Sequence, residues 1–128
     1  MADTVTSAIR QTRTHYVVHL TGISDGTGET NVLKVDKSAI TDLNGAEPPL
    51  LRIDSVMWCM QGYSRIKLST DHTTDDTVIV LDGHGYFDWS EDGGLFDPNS
   101  TGGTGDLLLT STGAASGSSY DITIRIRK

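Results

Sequence analysis

Residues 119–128, SYDITIRIRK, set Tyr120, Ile122, Ile124 and Ile126 at every second position, with Asp121, Thr123, Arg125 and Arg127 between them. Successive side chains of a β-strand point to opposite faces, so this spacing fits a strand with one face packed and the other in solvent or against a partner. The same two-residue period recurs along the chain, and no long segment has the i, i+3, i+4 apolar spacing of an amphipathic helix. The expected fold is nearly all β.

HYVVHLTGI (15–23) reads as a strand ended by the turn cluster SDGTGE, and TNVLKVD (30–36) as the next, the two forming a hairpin or a sheet corner. LLRIDSVMWCMQGYSRIKLST follows Pro48 and Pro49 and splits at Gly62 into a long strand and a shorter one. TVIVLDGHGYFDWS breaks at DGHG, whose two glycines suit tight turns with positive φ. DLLLTST and the C-terminal strand flank GAASGSS. About eight or nine short strands with frequent turn signals imply an antiparallel β-sandwich, jelly-roll-like, with a closed barrel as the alternative. At 128 residues the chain, 1–128, is read as a single domain. Its two long connections are KSAITDLNGAEPP (37–49), with room for one helical turn, and the stretch 88–106.

A formal net charge of -7 argues against tight sequence-independent binding to nucleic acid, which depends on Lys and Arg neutralising phosphates. Arg10, Arg13, Arg125, Arg127 and Lys128 nevertheless gather near the two ends of the sequence, where they are either solvated charge or contacts for an acidic partner surface. The opening MADTVTSAIR lacks the basic-then-apolar pattern of a secretory signal, and no apolar run approaches a membrane span. The expectation is a soluble protein made in a reducing cytosol. Cys59 is the only cysteine and sits in VMWCMQ among apolar neighbours, so it is expected to be a buried, inert thiol.

The stretch DWSEDGGLFDPNSTGGTGD, 88–106, carries five acidic side chains, five glycines and a proline. Asp88, Ser90, Asp92 and Gly93 echo the start of a calcium-binding loop, but the twelfth position, which requires a bidentate Glu, is Asn99. His15 and His19 lie four residues apart, about 13 Å along a strand, too far to share one zinc ion. No G-x-S-x-G motif is present, and TGGTGD lacks the Lys and the spacing of a phosphate-binding loop. The reading is therefore not an enzyme, with no catalytic residues, no metal and no cofactor. Among aromatic residues able to stack on a sugar, Trp58 is expected in the core, while Trp89 and Tyr86 are the contact candidates; the alternative for Trp89 is that it plugs the end of the sandwich.

Three segments together carry a resemblance: the opening MADTV, LTGISDGTGETNVLKVD near the start, and GYFDWSEDGGLFDPNSTGGTGDLLLTSTGAASGSSYDITIRIRK at the end. They resemble a family of small virion structural proteins of tailed bacteriophages, of the capsid decoration or cement type. The resemblance implies a β-rich domain, made in the host bacterial cytoplasm, that binds the outside of the assembled head. It also implies the major capsid protein as partner, a location on the capsid surface of the virion, and a homo-oligomer, a trimer. A tail, fibre or head-completion role is the alternative within the virion; a carbohydrate-binding β-sandwich module is the alternative outside it.

On this reading SDGTGE and DGGLFDP are the loops that meet a partner. Asp25, Gly26 and Glu29 are the candidates in the first, and Gly94, Leu95, Phe96, Asp97 and Pro98 in the second, with Trp89 beside it and Arg125 and Arg127 on the last strand. Gly93 and Gly94 would allow close backbone approach, and Leu95, Phe96 and Pro98 would offer apolar contact.

Overall fold

The computed structural model describes residues 4–12, 15–36, 40, 52–71, 76–92, 94–96, 106–113 and 115–127. Among them are ten strands: β1 (Thr4–Gln11), β2 (His15–Asp25), β3 (Val32–Val35), β4 (Arg52–Gln61), β5 (Arg65–Thr70), β6 (Asp76–Leu81), β7 (His84–Asp88), β8 (Leu95–Phe96), β9 (Leu107–Thr112) and β10 (Ser116–Arg127). A single 3-10 turn, Ser90–Asp92, is the only helical element in the described residues.

Four antiparallel pairs nest inside one another: β5 with β6, β4 with β7, β3 with β9, and β2 with β10. They form one long ribbon doubled back on itself, with β5 and β6 at its tip. Rolling that ribbon brings β10 beside β4 and β9 beside β5. The result is a sheet ordered β1-β2-β10-β4-β7 and a second ordered β3-β9-β5-β6. This is a jelly-roll β-sandwich, as the alternation predicts, and not a closed barrel. β1 adds an edge strand to the larger sheet, and the two residues of β8 extend β4 beyond the reach of β7.

The break between β2 and β3 is a sheet corner, since the two strands lie in different sheets. Gly62, at φ 87, begins another such crossing between β4 and β5, in a backbone region that costs glycine nothing. The helical turn expected within 37–49 falls, apart from Ile40, outside the described residues.

The core is built from the inward half of each alternation. Val18 and Leu20 of β2, Val56 of β4 and Ile122, Ile124 and Ile126 of β10 are fully buried, as are Ile66 and Leu68 of β5 and Leu109 of β9. Each such aliphatic side chain contributes roughly 1.5–3 kcal/mol by leaving water. The two aromatic residues at the centre of the larger sheet need glycine neighbours. Trp58 pairs with Gly85 and Tyr120 with Gly22, and each ring occupies the space a side chain there would fill.

Strand direction sorts the connections between two ends of the sandwich. At one end β2, β4, β6 and β9 finish and β3, β5, β7 and β10 begin; at the other β3, β5, β7 and β10 finish and β4, β6 and β9 begin. The longest connections thus leave from the same end.

Candidate functional site

The contact candidates do not form one surface. Asp25, Gly26 and Glu29 lie at the end of short turns, whereas Trp89, Gly94, Leu95 and Phe96 belong to the opposite end. Asp97 and Pro98 fall outside the described residues, as does the side chain of Phe96. Arg125 and Arg127 sit on β10 near the long-connection end, since β10 finishes there.

At the short-turn end, Asp25 accepts a hydrogen bond from the Thr27 amide at 3.0 Å and shapes the turn, and Gly26 is exposed with φ 105. Glu29 differs from the expectation of a surface contact. It is 8% exposed, Lys34 Nζ lies 2.6 Å from its Oε1, and Tyr120 Oη donates to its Oε2 at 2.9 Å. Reciprocal hydrogen bonds with Ser111 fix its backbone to β9. Its carboxylate is engaged inside the sandwich. A buried acid needs a cation and a donor nearby, and Lys34, in the strand that follows, was the sequence signal for this.

At the opposite end the acidic segment is tied down at its start. The Ser90 amide and hydroxyl both donate to Asp88 Oδ1, at 2.8 and 2.6 Å, and Tyr86 Oη donates to Oδ2 at 3.2 Å. The Ser90 hydroxyl, then its amide, hold the Asp88 carboxyl below the usual carboxylate range. The amides of Asp92 and Gly94 donate to the Trp89 carbonyl, closing the 3-10 turn, while the Trp89 amide donates to the Asp54 carbonyl. The described start of the calcium-loop echo, Asp88 to Asp92, is an Asp-capped turn. Among the described residues, no three His, Cys, Asp or Glu side chains converge as a metal site would require. Trp89 packs against the core and lies 5.4 Å from the Phe87 ring, so it plugs this end of the sandwich; Leu95 packs there too.

Sequence reasoning missed the group that anchors this end. Arg125 pairs with Ser55 but Ile126 pairs with Ile53, which makes Asp54 the extra residue of a β-bulge and leaves it 4% exposed. Arg127 Nη2 stands 2.8 Å from Asp54 Oδ1 in an ion pair, and Arg127 Nε donates to Oδ2 at 3.3 Å. His15 Nε2 lies 2.9 Å from the same Oδ2. Arg127 Nη2 also donates to the Ser90 carbonyl at 3.0 Å, so one side chain joins β10, β4 and the acidic segment. A bulge has no signature in alternation, because it is the place where alternation fails.

The outer face of the larger sheet holds the remaining candidates in cross-strand rows. One row runs Val17, Arg125, Ser55, Asp88, the next His19, Thr123, Met57, Tyr86, and a third Thr21, Asp121, Cys59, His84. His19 Nε2 lies 2.6 Å from Asp121 Oδ1. His15 and His19 are thus engaged by different carboxylates. Cys59 is exposed, which corrects the expectation of a buried thiol. On a strand, Trp58 and Met60 take the inward positions and leave Met57 and Cys59 outside, so apolar neighbours in sequence need not share a face. Beyond the third row, Ile23, Ser119 and Gln61 border an open depression of about 360 Å³ that also includes Cys59 and Asp121.

No family model matches the chain, and no curated protein matches it. A solved structure similar to it is a mutant of CBM29-2, a family 29 carbohydrate-binding module. That similarity covers 98% of this chain and 90% of the other at 8% identity, with a TM-score of 0.36. At that level it carries no argument about ligands.

Proposed function

We propose that this chain is a non-catalytic virion structural protein, a capsid decoration protein that docks on the major capsid protein of an assembled phage head and stabilises it. The observation that carries this reading is that β3, β5 and β7 finish, and β4, β6 and β9 begin, at the same end of a jelly-roll sandwich, so that the longest intervals between described strands open from one side of a rigid body. A clamp that meets a shell with one side needs its contact segments to leave from one side. Arg127, Asp54 and Trp89 brace the start of the acidic segment there. The segment resemblance points the same way. Affinity in such a protein comes from many contacts of about 1 kcal/mol each, compounded by repetition of the site over the shell.

The test mixes the purified protein with assembled capsids and with unassembled coat protein, then measures co-sedimentation and particle survival on heating. Binding to capsids alone, with heads that rupture at higher temperature, is the expected result. Equal binding to both forms, or capsids indifferent to the protein, rejects the reading and favours a tail or fibre component.

One observation favours a second reading, that of a carbohydrate-binding module. Tyr86 is 59% exposed on the outer sheet face, flanked on its strand by the polar His84 and Asp88, an arrangement able to stack on a sugar ring. Calorimetric titration with soluble oligosaccharides, with Tyr86→Ala as control, tests it.

A further inference from the structure

The outer face of the larger sheet is complementary to itself, and we propose that a second copy of this chain packs on it, about a twofold axis that crosses the strands along the row of Thr123, Met57 and Tyr86. Thr123, Met57 and Tyr86 are uncharged and expose large apolar groups, Met57 at 56% and Tyr86 at 59%, while His19 at the end of the row is engaged by Asp121. On one side of it stand Arg125, Ser55 and Asp88; on the other stand Asp121, Cys59 and His84, in the same strand order.

A twofold along the middle row reverses the strand direction and lays the first flank over the second. Arg125 then faces Asp121 of the second copy, Asp88 faces His84, and Ser55 faces Cys59. Each pairing occurs twice, once on either side of the axis, as an isologous contact demands. Among the described residues no ion pair of Arg125 closes within 4 Å in its own chain, although its charge favours the ionised form of Asp88 in the same row. Asp121 has His19 on Oδ1 only. Arg125 and Asp121, of opposite charge, and the polar pairs Asp88 with His84 and Ser55 with Cys59 therefore flank an apolar centre, the anatomy of a specific contact. A twofold along β10 instead would set Arg125 on Arg125 and Asp121 on Asp121, whereas one along β4 would set Arg125 on Asp88 and bring Gln61 onto its own copy, which the cross-linking below distinguishes.

The face is small. With strands about 4.8 Å apart and a rise of about 3.4 Å per residue, β2, β10 and β4 from the His15 level to the Ile23 level, together with the short β7, cover roughly 500 Å² per copy. The total of about 1,000 Å² is at the lower limit for a specific pair, so the association depends on concentration. The pair differs from the trimer implied by the resemblance, and it stands or falls independently of capsid binding.

Sedimentation velocity over a concentration series gives the first reading: a monomer–dimer equilibrium of the 13.8 kDa chain is expected. Arg125→Glu and Asp121→Arg should each weaken the dimer at least tenfold, and the double variant should restore it. In a Cys59→Ser background, Met57→Cys lies on the axis and should form a disulfide-linked dimer under mild oxidation, whereas Gln61→Cys lies far from its own copy and should not. A monomer at millimolar concentration, a trimer, failure of the double variant to recover, or equal cross-linking at both positions overturns the proposal. So does a face that stays monomeric and binds an oligosaccharide through Tyr86.

Discussion

Lys34 Nζ lies 2.6 Å from Glu29 Oε1, with the two side chains only 4% and 7% exposed. Tyr120 Oη, from the middle of the larger sheet, donates to the other carboxylate oxygen. Both charges have left water, and their mutual attraction with the phenol offsets that loss. Lys34→Ala, which strands the carboxylate, is expected to cost about 3–5 kcal/mol. Replacing both charges, Glu29→Gln with Lys34→Met, is expected to cost far less. Urea unfolding of the single and double variants measures the difference.

Tyr16 is buried at 3% exposure, and burial, then the charge of Asp36, push its phenol above the ordinary value. The folded state therefore favours the protonated form. The stability this contributes is complete below the pKa of an unfolded tyrosine, about 10, and is lost as pH rises through the higher folded value. Phenolate absorbance should reveal a tyrosine that ionises late or only on unfolding, and Tyr16→Phe should flatten the alkaline loss of stability.

Asp88 behaves in the opposite sense. Because the Ser90 hydroxyl and amide favour its ionised form, its titration is shifted to lower pH. The stabilisation is present above the unfolded pKa and lost as pH falls through the folded one. Ser90→Ala removes the hydroxyl, the stronger of these donors, and should move the Asp88 carboxyl resonance midpoint back toward that of a free aspartate in an NMR titration.

Cys59 should react with a thiol reagent in native protein at a rate of the same order as in denatured protein, because the side chain is exposed on the outer sheet face. A strong slowing in dilute native protein would contradict that placement.

Gly85→Ala tests the aromatic centre. An ideal Cβ there would stand 2.7 Å from Trp58 Cζ2, so the indole or the strand must shift. Overpacking of this kind costs about 1–3 kcal/mol. The indole, whose Nε1 donates to the Asp82 carbonyl at 2.9 Å, has little freedom to yield. Thermal melts of Gly85→Ala, with quenching of Trp58 fluorescence as a local probe, measure the effect.

Alternation made much of the fold legible. The inward Ile122, Ile124 and Ile126 and the outward Asp121 and Arg125 are where period two puts them. β1 was missed because TVTSAIRQ carries only two large apolar residues, and one of them, Ile9, is 55% exposed. The site was less legible because its chemistry depends on pairings remote in sequence. Glu29 looked like a loop acid until Tyr120 was brought to it, and Asp54 was not singled out because the bulge that buries it beside Ile53 leaves no mark in alternation. The acid-rich DWSEDG was read by its spacing against a calcium loop, whereas the acceptors Asp88 Oδ1 and the Trp89 carbonyl explain its shape.

The nested order of the strands has a consequence for biosynthesis. β10 lies between β2 and β4, so neither strand has its partner on that side until β10 has left the ribosome. Until then β2 has only β1 beside it, and its other edge is an open template for any extended chain nearby. Pairing across so much of the sequence makes folding slow, in the range of milliseconds to seconds, and late. Yield in the cell is then governed by what shields that edge while translation finishes.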